Sequence, residues 1–482
     1  MRVCFAVFLL CSLLVLPAKS QIQADTLILT NVNVVDTRNG DIGHNLTVVI
    51  KNQRIHVIAK FGFIQENRKT HVINANGKYL IPGLWDMHVH SAGGPVAPWD
   101  ETVIYPLYVA NGVTGIRDMG GNPDLLENRR NRIDKGELLG PRILYAGPFL
   151  DGGKPESDKK DPQMILVNTP AEAKAAVDSL QKRGVDFIKV LSDLNRETYF
   201  AIASESAKVH LRFVGHVPES ISAAEASTVG QRSIEHLSGI SLACSSKEEE
   251  LRRQRLEAMA KNDNAEWSAA NKEVLATYDA EKAKALFREL ATNNTYQVPT
   301  LVWWQANAKF GDPELGTDPR LKYVPAWVRG DWSPDKLKTP QPQLDYLRTL
   351  VARDLEITRS MQRLAVPIMA GTDGPDPYVF PGFSLHDELS MLVDGGLTSI
   401  QALQSATYVP ALFLNKLDKF GVVEPGRAAD LVLLDANPVE NIRNASKISA
   451  VLVGGKYYSR ADLDQMLARV AEKAAAQTTV PK

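Results

Sequence analysis

The chain has 482 residues, 44% of them hydrophobic and 23% charged, with a formal net charge of −1. That balance excludes the basic footprint of a nucleic-acid binder and gives no sign of a polyanionic partner. The length suffices for two domains, or for one large barrel with additions, with enough buried core for stability.

Residues 1–20 have the pattern of a cleavable signal peptide. Arg2 precedes the apolar run Val3 to Leu16, and Pro17-Ala18-Lys19-Ser20 offers a small-x-small cleavage site before Gln21. The run is shorter than the ~20 residues a spanning helix needs. No later stretch is long and apolar enough either, so a periplasmic or secreted protein without stable membrane insertion is expected. Cleavage removes Cys4 and Cys11 and leaves Cys244 alone, which excludes an intramolecular disulfide.

From Asp25 to Leu80 short alternating runs are separated by Asn, Asp and Gly, the texture of a small all-β unit. The same texture returns in GVVEPGRAADLVLLDANP and ISAVLVGGKYY near the C-terminus. The expectation is a β-sandwich domain built from residues 21–82 and 416–460, with residues 83–415 inserted as a second domain. Residues 461–482 form a C-terminal helix and tail, the helix fraying from Ala468 onward.

The inserted domain alternates strands with amphipathic stretches such as Pro170 to Arg183 and Arg196 to Val209. Eight strand candidates follow in order: 84–90, 113–119, 142–148, 186–192, 212–217, 232–237, 297–302 and 367–373. Repeated β-then-α units predict a parallel (β/α)8 TIM barrel, whose reactive groups gather at the C-terminal strand ends. The connections 238–296 and 303–350 exceed ordinary βα loops. The first is charged and mostly helical; the second holds Trp303, Trp304, Trp327, Trp332 and six prolines. Inserts of this size on the active face form lids or substrate walls.

In LIPGLWDMHVHS, strand alternation places Asp86, His88 and His90 on one face and Trp85, Met87 and Val89 on the other. Two neighbouring imidazoles at a strand end suit a metal. Strand four carries Lys189, strand five His216, strand six His236 and strand eight Asp373. Each has a plain structural explanation taken singly: a snorkelling lysine, a core histidine, a turn aspartate. Together they put four of the nine histidines at the ends where a barrel does its chemistry, while His44, His56, His71, His210 and His386 lie elsewhere. Joint placement of that kind points to a metal centre.

The segments IPGLWDMHVH, GVTGIRDMG, DFIKV, GHV, SIEHL, AGTDG, LHDELSMLVDGGLTSIQALQSAT and GVVEPGRAADLVLLDANP resemble, in order, those of the amidohydrolase superfamily, in its imidazolonepropionase-like and Xaa-Pro dipeptidase-like branch. The resemblance runs from about Thr26 to Lys456. It implies that His88, His90 and Asp373 hold one divalent metal, that His216 and His236 hold another, and that an N-carboxylated Lys189 bridges the pair. Burial lowers a lysine pKa, so a neutral amine could take up CO2 as a two-oxygen anion. Imidazole and carboxylate without thiolate favour Zn2+, with Mn2+ or Fe2+ as alternatives. Asp118 and His386 read either as supports of the ligands or as structural residues.

The implied reaction is hydrolysis of a dipeptide-type or other C–N amide bond by a hydroxide held between the metals, with Asp373 as the proton acceptor. A cyclic amide, lactone or ester is the alternative bond, and a catalytically silent binding protein is the third reading. The loops AGPFLDGGKPESD and GHVPESIS lack the extra His and Tyr of some dipeptidase-like relatives. The expected partner is therefore a small-molecule substrate whose contacts the sequence does not identify; self-association into a homo-oligomer is left open.

Overall fold

A computed structural model describes residues 26–60, 69–93, 99–153 and 163–479. The signal peptide read over residues 1–20 lies outside them. No helix among the described residues is long and apolar enough to cross a membrane.

The fold is α/β. It opens on β1 (Thr26–Val35), β2 (Ile42–Lys51), β3 (Arg54–Ala59), β4 (Thr70–Asn74) and β5 (Tyr79–Pro82). β-Branched residues dominate β1 and β2, and Leu29, Val32, Val34, Val48 and Ile50 turn inward onto one core. A two-residue turn joins β2 to β3, with Lys51 opposite Arg54 and both Asn52 and Gln53 at positive φ. That geometry matches the right-handed twist of the flanking strands.

A second set of strands begins one residue later. It comprises β6 (Leu84–Val89), β7 (Val113–Asp118), β8 (Arg142–Tyr145), β9 (Phe149–Asp151), β10 (Met164–Leu166), β11 (Phe187–Val190), β12 (Arg212–Gly215), β13 (Ser233–Glu235) and β14 (Tyr296–Val298). All the pairings within this set are parallel. β6, β7 and β8 form one run, and β11 to β14 another. Asp186 N donates to Tyr145 O at 3.0 Å and links the two runs. At the far side Gln297 N donates to Pro367 O and Met369 N to Gln297 O, while Met87 N donates to Ala370 O, each at 2.9 Å. The segment 367–374 thus stands between β14 and β6, and the bonds return to the strand from which they began.

β15 (Leu431–Leu434), β16 (Ile448–Val453) and β17 (Lys456–Ser459) close the set. β15 runs antiparallel to β5, Leu431 opposite Pro82 and Leu434 opposite Tyr79, so both ends of the chain share one sheet. Beyond the other edge, Ile55 N donates to Arg427 O and Ala429 N to Gln53 O. Ile55 of β3 and Leu452 of β16 consequently sit in the same core.

Several sequence expectations need correction. The eighth strand candidate, 367–373, is not a regular strand; it is joined to its neighbours through isolated bridges at Ile368 and Gly374. Ala370 N bonds instead to Ser405 O at the end of the helix Ser399–Ser405, and Asp373 takes a positive φ, so the ladder cannot run on. The seventh candidate, 297–302, ends at Val298: Pro299 lacks a donor, and Thr300 at φ 49° starts the helix Leu301–Asn307. β9 falls in AGPFLDGGKPESD, which the sequence suggested was a loop, and β10 follows it. The last helix, Arg460–Ala476, is capped by Ser459 and Asp462 and begins within a residue of the expected start, but it stays regular past Ala468. The insertion 238–296 is helical as expected, though its final helix Ala280–Thr292 turns Phe287 and Leu290 into the main core and packs against the helices Ala223–Thr228 and Gln341–Arg363.

Candidate metal centre

All six predicted side chains come from the C-terminal ends of these parallel elements. His88 and His90 lie at the end of β6, whose pairing with β7 shifts by one residue between Asp86 and Val89. Lys189 is in β11; His216 and His236 directly follow β12 and β13; Asp373 ends the segment beside β6. Two glycines permit the close approach of these backbones. A Cβ on Gly371 would lie 2.9 Å from His88 N and 2.6 Å from Val298 Cγ1; one on Gly215, at φ 134°, would lie 2.1 Å from Val190 O.

The four imidazoles form a row. Ring centroids are 5.4 Å apart for His90 and His88, 4.6 Å for His88 and His236, and 5.1 Å for His236 and His216. Every Nδ1 is occupied: His88 by Glu235 Oε2 at 2.9 Å, His90 by Gly120 O at 2.9 Å, His216 by Ser192 Oγ at 2.9 Å and His236 by Thr300 Oγ1 at 2.7 Å. An imidazole that donates its Nδ1–H to a carboxylate or carbonyl presents the Nε2 lone pair. That assigns the tautomers of His88 and His90.

Those lone pairs face Asp373. Its Oδ1 is 3.2 Å from His88 Nε2 and 3.1 Å from His90 Nε2, and its Oδ2 is 3.9 Å from His236 Nε2. His88, His236 and Asp373 each bring one ligating atom within 4.8 Å of the other two. His88 Nε2 and Asp373 Oδ1 are buried yet make no hydrogen bond. Acceptors turned toward one another out of solvent repel unless a cation lies between them. The donor set therefore fits a divalent metal.

The local electrostatics agree. Burial lowers the Lys189 pKa to about 8, against the pull of Glu235 and Asp373, so the amine is readily neutral. Lys189 is 1% exposed. Burial, with the charges of Lys189 and His236, holds His216 well below the imidazole range, and burial brings His236 to about 3. Burial opposes ionisation of Asp373, but His88 and His236 outweigh it and keep the carboxyl well below its ordinary value. Neutral His216 and His236 beside an ionised Asp373 suit metal ligation.

The sequence reading missed the layer behind the ligands. Glu235 is fully buried, accepts from Arg117 Nη2 at 2.9 Å and from Ser233 Oγ at 2.5 Å, and anchors His88. Arg117 also donates to Met87 O and lies over the Phe187 and Phe413 rings. Asp86 accepts from Thr372 N at 3.0 Å and Oγ1 at 2.7 Å, tying β6 to the segment that carries Asp373. The available signal was a charge in an apolar strand, as with Arg117 after Ile116 and Glu235 after Ile234. Asp118 accepts from Ser91 N and Oγ at 2.7 Å and from Gly120 N at 3.2 Å, ordering the turn that holds His90. His386 bonds to Asn111 O at 2.9 Å and touches none of the ligands, a structural role.

Comparison with known proteins follows the same lines. The amidohydrolase family model matches residues 351–457, which include Asp373 and β15. No curated protein matches this chain in sequence. Among solved structures, a Xaa-Pro dipeptidase with bound methionine in its active site is 22% identical with a TM-score of 0.65, covering 90% of this chain and 100% of that one. A bottromycin amidohydrolase is 22% identical with a TM-score of 0.73, over 94% of this chain and 91% of its own. An ochratoxinase from A. niger is 18% identical with a TM-score of 0.62, over 90% and 96%. These likenesses establish that the chain shares the fold of these proteins.

Proposed function

We propose that this chain is an amidohydrolase: an exported, metal-dependent hydrolase of a C–N amide bond in a small molecule, with a binuclear centre at the mouth of a (β/α)8 barrel. The observation that carries it is the convergence of His88, His90 and His236 Nε2 on the Asp373 carboxylate, at 3.2, 3.1 and 3.9 Å, each imidazole fixed from behind through Nδ1. The Xaa-Pro dipeptidase and the bottromycin amidohydrolase share this fold, and their names support an amide substrate.

On this reading His88, His90 and Asp373 hold one ion and His216 and His236 the other. Lys189, its pKa lowered to about 8 by burial, is the site of carboxylation, and its carbamate would supply the remaining oxygen donors. Nitrogen and oxygen donors without sulfur make zinc the preferred ion, with manganese or iron as alternatives. Ions bound there would polarise the scissile carbonyl and raise the acidity of the attacking water. Asp373, ionised and placed between the imidazoles, takes the proton from that water and delivers it to the leaving nitrogen. Glu235, Ser192 and Thr300 keep the imidazoles from turning while charge moves.

The test pairs metal analysis of the purified mature chain with a screen of dipeptides, N-acyl amino acids, lactams and lactones in added Zn2+ or Mn2+. A pair of ions per chain and turnover of an amide are expected. Metal binding with turnover of lactones alone moves the assignment to ester chemistry. A chain that takes up no metal and hydrolyses nothing is a binding protein, and the proposal fails.

A further inference from the structure

One acidic side chain beside the centre belongs neither to the ligands nor to the residues that hold them. Asp376 follows the segment of Asp373, and its carboxylate accepts from the indole Nε1–H of Trp303. No lysine or arginine among the described residues pairs with it. Trp303 sits in the first turn of the helix Leu301–Asn307, immediately after Thr300, the residue that anchors His236. The Trp303 ring packs 5.7 Å from the His236 ring and 4.5 Å from the Trp304 ring. Asp376 is also close enough to feel the charges of Asp373 and His90.

We propose that Asp376 and Trp303 form a subsite that receives the free amino group of an aminoacyl substrate, next to the amide to be cleaved. This rests on the amide-hydrolase reading and narrows it to substrates with a cationic amine. A half-buried carboxylate with one neutral donor keeps lone pairs for an ammonium, and the indole face adds attraction for the same charge. Burial and the neighbouring Asp373 raise the Asp376 pKa to about 7, the direction expected of a carboxylate lacking its counter-ion. The indole N–H holds the carboxylate in place, so the subsite is formed before the substrate arrives. An N-acylated substrate would bury the same carboxylate against a neutral amide and lose that contact.

The test uses the metal-loaded protein at pH 8 and the hydroxamates of L-alanine, L-leucine and L-phenylalanine. Each is compared with its N-acetyl and des-amino counterparts, and dissociation constants are read by calorimetry without any need for turnover. The free amines are expected to bind about ten- to hundredfold more tightly than either counterpart. Asp376→Asn reduces that advantage to within about threefold while leaving the des-amino compounds unchanged, as loss of one charge-assisted contact requires. Trp303→Phe keeps the charge and removes its anchor, giving an intermediate preference should Asp376→Asn not fold. Equal affinity for amine and N-acetyl compounds in the wild type overturns the subsite and leaves the metal-dependent hydrolase standing. An amine preference that survives Asp376→Asn also overturns the subsite. Failure of every hydroxamate to bind removes the metal centre and the subsite together.

Discussion

His88 Nδ1 lies 2.9 Å from Glu235 Oε2, and neither side chain is reached by solvent. Glu235 also takes the charge of Arg117, and together with His88 this holds its carboxyl below the ordinary range despite burial. The ionised Glu235 therefore fixes the tautomer of a ligand. Glu235→Gln is expected to weaken metal retention by about ten- to hundredfold. Competition with a chelator measures this, and unchanged retention would separate Glu235 from the ligand set.

Asp373→Asn keeps the size of the side chain and one oxygen but cannot accept a proton. Metal is expected to stay largely bound through the histidines while turnover falls by about a hundredfold or more. Steady-state kinetics with parallel metal analysis decide it. A variant that turns over normally contradicts the assignment of Asp373.

Lys189 has its amine buried among the ligands with its pKa lowered to about 8. Reconstitution of the metal-free chain is expected to be faster and more complete with added bicarbonate at pH 8 than in CO2-free buffer. Lys189→Ala is expected to lose the second ion and ignore bicarbonate. Identical metal uptake with and without bicarbonate in the wild type would leave the lysine a plain cation.

Gly371 is packed against β6 so closely that any Cβ meets His88. Gly371→Ala forces the backbones apart and is expected to cost about 1–3 kcal/mol of stability, with metal affinity falling alongside. Thermal unfolding with and without metal reads both effects. A variant as stable as the parent would show that the segment yields without strain.

Glu388 accepts from Val302 N at 2.8 Å, and burial raises its pKa to about 8. The folded chain therefore keeps a proton on Glu388 that the unfolded chain releases above its ordinary value near 4.5. Stability attributable to this residue is full at low pH and declines as pH rises toward 8. Glu388→Gln, which cannot ionise, is expected to gain on the wild type by a melting-temperature margin that is small at pH 5 and larger at pH 8. A margin independent of pH would mean that Glu388 is not protonated in the fold.

Some of this architecture could be read directly from the sequence. The helix Pro170–Arg183 carries its own start and stop, with Thr169 and Glu172 reciprocally capping one end and Gly184 at φ 78° ending the other. Short-range rules suffice there because every partner lies within a turn. His88 and His90 were legible for the same reason: two residues apart in a strand, they share an end. Strand eight was not, since 367–374 finds its bonds in β14, β6 and Ser405, and no local pattern encodes those partners.

The sequence alone determined which donors the chain offers there: imidazoles, carboxylates and one lysine at successive strand ends, with no cysteine among them. It could not determine which way each imidazole faces. That was decided by Glu235, Gly120, Ser192 and Thr300, brought to the four Nδ1 atoms from separate places in the chain. Direction in a hydrogen bond is a property of two groups in space, and only folding brings the second group within reach.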